Sequence, residues 1–168
     1  MKRIDPSAPP LTLRPLNATD APALQAVYAA AADYFQRAGS ALPQAAAELE
    51  QAAGEEGRFL LGIYLSGEMI GLLDLRLAYP GPFDVSIGLI LLVESHRRQG
   101  LGAWALRILE AWLTRDTPTE AIKVAVPAQN RSAQGFFLAN GYAFSGQSTR
   151  VLVGTTRLRL LEMHKSLG

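Results

Sequence analysis

The chain has 168 residues, 49% of them hydrophobic, with 16 basic and 15 acidic side chains, two histidines and no cysteine. That length suits a single domain with a full core over residues 1–168, while the missing cysteine excludes disulfides, thiolate metal sites and cysteine nucleophiles, and His96 and His164 alone make no multi-histidine metal site. A net charge of +1 without a basic run argues against nucleic acid, and the longest charge-free apolar stretch, residues 85–93, is too short to span a bilayer.

Residues 1–10 hold three prolines and are expected to be a loose arm; no apolar run follows their basic residues, so a secretory signal is not expected and a cytoplasmic location is. Leu11, Leu13 and Leu16 suggest an opening strand. Asn17 to Asp20 supply cap residues for one helix whose stripe is Leu24, Val27, Tyr28, Ala31, Tyr34 and Phe35, stopped by Gly39. A second helix starts near Pro43 and ends at Gly54–Gly57. Residues 58–65 and 69–77 then read as strands joined by a hairpin turn at Ser66-Gly67.

After the loop Tyr79–Phe83 comes a strand over residues 84–93. Its odd positions (Val85, Ile87, Leu89, Leu91, Val93) are aliphatic, whereas Asp84, Ser86 and Gly88 are small or polar, so one face is expected in the core and the other on something polar. A helix carrying Leu101, Ala105, Ile108, Leu109, Trp112 and Leu113 follows, then a strand 121–126 ended by Pro127. A helix 132–139 closed by Asn140-Gly141 and a hairpin around Gly154 complete an α+β, mixed-sheet plan.

The segment Arg97-Arg98-Gln99-Gly100-Leu101-Gly102 lies between a strand and a helix. Its glycines permit a tight turn and close approach of a ligand, its amides and the helix start form an anion site, and Arg97 and Arg98 add charged donors. The expected ligand is a phosphate or pyrophosphate. A nucleotide-hydrolase loop is excluded because no Lys-Ser or Lys-Thr follows Gly102. A dinucleotide fingerprint is disfavoured, since six residues separate Val93 from Gly100 and no acid ends the strand 121–126.

Arg97-x-x-Gly100-x-Gly102 resembles the R/Q-x-x-G-x-G/A signature of the GNAT superfamily of N-acetyltransferases. The segment Asn130-x-x-Ala133-x-x-Phe136-Phe137-x-x-x-Gly141-Tyr142 is similar to that family's N-x-x-A-x-x-F-Y-x-x-x-G-F, in order and in register, and the closing residues 161–167 resemble its last strand. The resemblance spans nearly the whole chain.

It implies a GNAT fold: a mixed, mostly antiparallel sheet of six to seven strands with about four helices, splayed between two central parallel strands. It also implies acetyl-CoA as cosubstrate and an amine as acceptor; no metal is expected from the composition, and the oligomeric state, monomer or homodimer, is left open. Main-chain groups of Leu92, Val93 and Glu94 would then bind pantetheine. Arg97, Arg98, Gln99, Gly100, Leu101 and Gly102 would hold the pyrophosphate, and Asn130 would contact the cofactor.

Two departures bear on catalysis. Phe137 stands where the family has its tyrosine acid, and Ser86 stands where the family has its common glutamate base. Asp84, two residues away on the same strand face, is the alternative base, with a water held by Ser86 as the other option. Because Phe137 cannot donate a proton, a catalytically silent acyl-CoA-binding module is the competing expectation.

Overall fold

In the computed structural model the described residues are 10–168; the expected N-terminal arm, residues 1–10, lies outside them except for Pro10. Among these residues seven strands form one sheet in the order β1-β2-β3-β4-β5-β7-β6. In chain order they are β1 (Leu11–Pro15), β2 (Arg58–Leu65), β3 (Glu68–Leu77), β4 (Asp84–Leu92), β5 (Ala121–Pro127), β6 (Ala143–Val153) and β7 (Thr156–Ser166). Among the described residues five α-helices flank the sheet: α1 (Ala21–Ala30), α2 (Ala32–Arg37), α3 (Ala45–Gly54), α4 (Leu101–Asp116) and α5 (Arg131–Ala139). All neighbouring strands pair antiparallel except β4 and β5, the parallel pair. This is the expected GNAT architecture. No helix among the described residues is long and apolar enough to cross a membrane.

The first expected helix is two helices. The backbone leaves helical geometry at Ala31 (φ −117°, ψ 22°), which is fully buried, and the turn sets Phe35 edge-on to Tyr28 with ring centroids 5.6 Å apart. No proline or glycine marks that break, so only packing decides it. The start of α3 is fixed by α1: the Gln25 side chain accepts from the Ala45 N–H (2.8 Å) and donates to the Pro43 carbonyl (3.1 Å).

The expectation for β4 needs a correction. Leu75 pairs with Ile87 and Asp74 with Leu89, which leaves Gly88 as an extra, unpaired residue, a β-bulge. A bulge inverts the alternation beyond it. Val85 and Ile87 therefore share a face with Ile90 and Leu92, while Ser86 shares the opposite face with Leu89 and Leu91. The odd positions do not lie on one face.

The two faces carry different helices. A Cβ built on Gly102 in α4 meets Leu92 and the Phe136 ring of α5, so α4 and α5 cover the Leu92 face. Tyr28 of α1 lies on the other face, near Arg58 and Asp74 and beside Glu48 of α3. Burial first, then the charges of Glu48 and Asp74, push its hydroxyl up to about 12. Fully buried Leu24, Leu72 and Ile63 lie in one continuous core with Leu106, Leu109, Ile122 and Met163.

Candidate active site

The parallel ladder between β4 and β5 runs only from Asp84/Ala121 to Ile87/Val124. Beyond it β4 continues to Leu92 and β5 to Pro127 without pairing to each other, so the sheet opens into a slot. The bulge at Gly88 lies where the slot begins. On its other edge β4 stays bonded to β3, and the Val93 N–H donates to the Ile70 carbonyl at 2.9 Å. Alternation in an antiparallel ladder then turns the main-chain groups of Ile90 and Leu92 away from β3 and into the slot.

This revises the expected pantetheine contacts. The Val93 amide is bonded to β3, and its carbonyl accepts from the His96 N–H (3.0 Å). The Leu92 carbonyl is taken by Arg97 Nε (2.9 Å), and the Glu94 carbonyl by the Arg97 N–H (3.3 Å). What β4 offers the slot is the Ile90 and Leu92 amides and the Ile90 carbonyl.

The loop that follows is a ready anion cradle. Arg98 (φ 61°) and Gly100 (φ 77°) both take left-handed backbone, and α4 starts at Gly100 with no side-chain cap. The first helical bond is Trp104 N–H to the Gly100 carbonyl (3.1 Å), so the amides of Leu101, Gly102 and Ala103 are uncommitted within the helix. No heavy atom lies within 4 Å of a Cβ built on Gly100, so the loop is open outward there. At Gly102 a Cβ would stand 3.3 Å from Phe136, which holds α4 close against α5. These features fit a pyrophosphate: uncapped amides, an open glycine and a helix dipole of the right sign.

The two loop arginines differ. Arg97, expected as a phosphate donor, is a clamp instead. Its two terminal nitrogens fork onto Asp33 of α2 at 2.5 and 3.0 Å while Nε holds the Leu92 carbonyl. The Arg97 hydrogen bond above all, then its charge, keeps the Asp33 carboxyl below the usual carboxylate range. Arg98 is exposed and makes no side-chain hydrogen bond or ion pair among the described residues, which leaves its guanidinium for an anion. The Gln99 amide donates to the Ser95 carbonyl (3.1 Å), and Glu94 is exposed at the loop's first turn.

Across the slot, Asn130 caps α5: its Oδ1 accepts from the Ala133 N–H at 3.0 Å, so the side-chain oxygen serves the local backbone. Phe137 is buried and packs edge-on between Phe136 and Tyr142. The Tyr142 hydroxyl donates to Glu110 (3.2 Å) and is pushed up, chiefly by burial. Neither is a proton donor to the slot.

On the opposite face a cleft of about 170 Å³ reaches Gly88 and Ser86 and is lined also by Glu55, Arg58, Asp74, Arg76 and Tyr79. Asp74 stands beside the bulge, its carboxylate 3.8 Å from where a Gly88 Cβ would be. Asp84 lies at the paired start of β4, accepting from the Gly81 N–H (3.1 Å) and facing the Lys123 ammonium (3.3 Å). Ser86 lines the cleft; Asp84 clasps the loop before the strand. Asp74, Arg58, Arg76 and Asp33 were not singled out from sequence. The available signal for Asp74 and Arg76 was a pair of charged residues inside an otherwise aliphatic run, Leu-Leu-Asp74-Leu-Arg76-Leu.

The sequence model of the acetyltransferase (GNAT) family matches residues 24–142, and the chain belongs to that family. Among solved structures it is similar to an acetyltransferase from Thermus thermophilus (28% identity, TM-score 0.77), with 93% of this chain and 96% of that one covered. It also shares its fold with the acetyl transferase of Salmonella typhimurium that modifies the N-terminal serine of 50S ribosomal subunit protein L7/L12 (16% identity, TM-score 0.81, 93% and 94% covered). A third similar structure is a Thermoplasma acidophilum N-acetyltransferase in complex with coenzyme A (15% identity, TM-score 0.67, 94% and 99% covered). No curated protein matches the chain at a significant level.

Proposed function

We propose that the chain is an acetyl-CoA-dependent N-acetyltransferase that passes the acetyl group directly to an amine in a ternary complex. The observation that carries this is a slot open from two sides. The Arg98–Ala103 amides face it from one end, and the Asp74–Ser86 cleft reaches its bulge from the other face of the sheet.

In this reading the loop amides and Arg98 hold the pyrophosphate, and the slot-facing groups of Ile90 and Leu92 bond the pantetheine arm as a strand would. A main-chain N–H of the same pair donates a hydrogen bond to the developing oxyanion. The amine enters from the cleft, where Asp74 accepts a hydrogen bond from it and orients its lone pair toward the thioester carbon. An ammonium gives up one proton to water in the cleft before it attacks; the C–N bond then forms, the C–S bond breaks with the thiolate leaving, and the nitrogen's second proton passes to water. With Phe137 in the core, no side-chain acid is assigned. A thiol's ordinary pKa of about 8.5 lets the thiolate leave without one near neutral pH.

The silent-module reading draws on the same buried Phe137. Calorimetry with coenzyme A, followed by thiol release from acetyl-CoA over a panel of amines, separates the two. Binding with turnover supports the enzyme, binding without turnover on any amine supports the module, and no binding removes both.

A further inference from the structure

The cleft beneath the bulge has opposite charge at its two ends. At the Gly88 end one cation serves three carboxylates. Arg58 forks onto Asp74 at 3.1 and 2.8 Å, and also reaches Glu55 (3.2 Å) and Glu48 (3.4 Å). Two negative charges are left over there. Two residues further along β3, Arg76 makes no ion pair and no side-chain hydrogen bond among the described residues; its guanidinium lies 4.6 Å from the centroid of the Tyr79 ring.

The ladder explains the arrangement. Arg58 and Arg76 are direct cross-strand partners, and like charges in that position repel. The repulsion is relieved in two different ways. Arg58 turns to the acids of α3 and β3, and Arg76 lies over an aromatic face. A ring face engages the plane of a guanidinium and leaves its N–H edge available for a planar anion. Ser86, the cross-strand partner of Arg76 on β4, adds a hydroxyl in the same row of the cleft. The Asp74 and Arg76 positions lie about 7 Å apart along the strand.

We propose that the acceptor amine carries a carboxylate, as an amino acid or a similar small zwitterion does: its amine sits over Asp74 and Gly88, and its carboxylate sits on the open edge of Arg76. The proposal rests on the acetyltransferase reading above and adds the substrate class to it. Amines lacking the anion leave Arg76 without a partner. A diamine would be drawn to the acidic end alone.

The test uses the full chain. Coenzyme A affinity is measured first; thiol release from acetyl-CoA is then followed with matched acceptors, each an amino acid, its amide and its decarboxylated amine. The wild type is expected to favour the carboxylate-bearing member by about 10-fold or more in kcat/KM, mainly through KM. Arg76→Gln brings that ratio to about one, Arg76→Lys leaves an intermediate ratio, and Arg76→Glu inverts it, all with coenzyme A affinity unchanged. A wild-type preference for amides or diamines overturns the proposal. So does a ratio that survives Arg76→Gln, or a chain that binds coenzyme A and turns over other amines but no member of these sets. A wild type that fails to bind coenzyme A gives a different result, since the acetyltransferase reading itself then falls and takes this one with it.

Discussion

On the α4 face of β4 the site is made of backbone, whereas on the α1 and α3 face it is made of side chains. The loop from Arg98 to Ala103 presents main-chain donors, and Ile90 and Leu92 present two main-chain donors and one acceptor, placed by two left-handed residues and by the end of a ladder. The cleft is a set of paired and unpaired charges held on neighbouring strands. Backbone donors suit a ligand that is the same in every reaction of this kind. Side-chain charges can be exchanged without touching the fold, and so can set an acceptor.

The largest effect is expected from Gly102→Leu. A Cβ there already stands 3.3 and 3.4 Å from the Phe136 ring and 3.7 Å from Leu92, so a larger side chain must push α4's first turn off its position. Coenzyme A affinity is expected to fall at least about 100-fold, ~2.7 kcal/mol, as read by calorimetry. Unchanged affinity would refute the backbone-built phosphate site.

A smaller effect separates the two strand acids. Asp74→Asn is expected to lower kcat/KM about 30–100-fold while coenzyme A affinity stays the same. Asp84→Asn is expected to change kcat/KM less than about 3-fold, yet to lower Tm by about 2–4 °C through loss of the Gly81 and Lys123 contacts. The reverse pattern in the same assays would return the catalytic role to the start of β4.

The smallest effect joins the two regions. Arg97 ties the loop to α2 through Asp33, whose folded carboxyl titrates below its ordinary range. A lowered carboxylate pKa stabilises the fold fully above about pH 4, and that contribution is lost as pH falls through the folded value. Arg97→Ala should therefore lower Tm by about 2–4 °C at neutral pH, since the pair is partly exposed, and by less in acid. An equal gap in melts at pH 7 and pH 3 would assign the whole effect to the Leu92 carbonyl bond.

Much of the fold was legible because its signals are local. Gly39, Gly54–Gly57, Pro127 and Asn140-Gly141 end elements at or beside the places where the structure ends them. What sequence spacing could not convey was the bulge at Gly88. Strict alternation of aliphatic residues from Val85 to Val93 reads as one buried face, and a single extra residue hands Leu89 and Leu91 to the other. The helix break at Ala31 was equally silent, since alanine is at home on either side of it.

The candidate site divides along the same line. The glycine loop was readable because a left-handed Gly100 and an uncapped helix start are properties of consecutive residues, written within a few positions of each other. The roles of the charged side chains were not readable. Arg97 carries the motif, yet its partner Asp33 lies 64 positions away. Asp74 meets Arg58 from 16 positions away, and Arg76 is left with Tyr79 because Arg58 is its ladder partner. The order of elements, the glycine turn before α4 and the family are thus legible in short-range pattern, since these depend on local dihedral freedom. Which arginine is a clamp and which is open to an anion follows from the folded arrangement, because charge pairing depends on distances that packing alone sets.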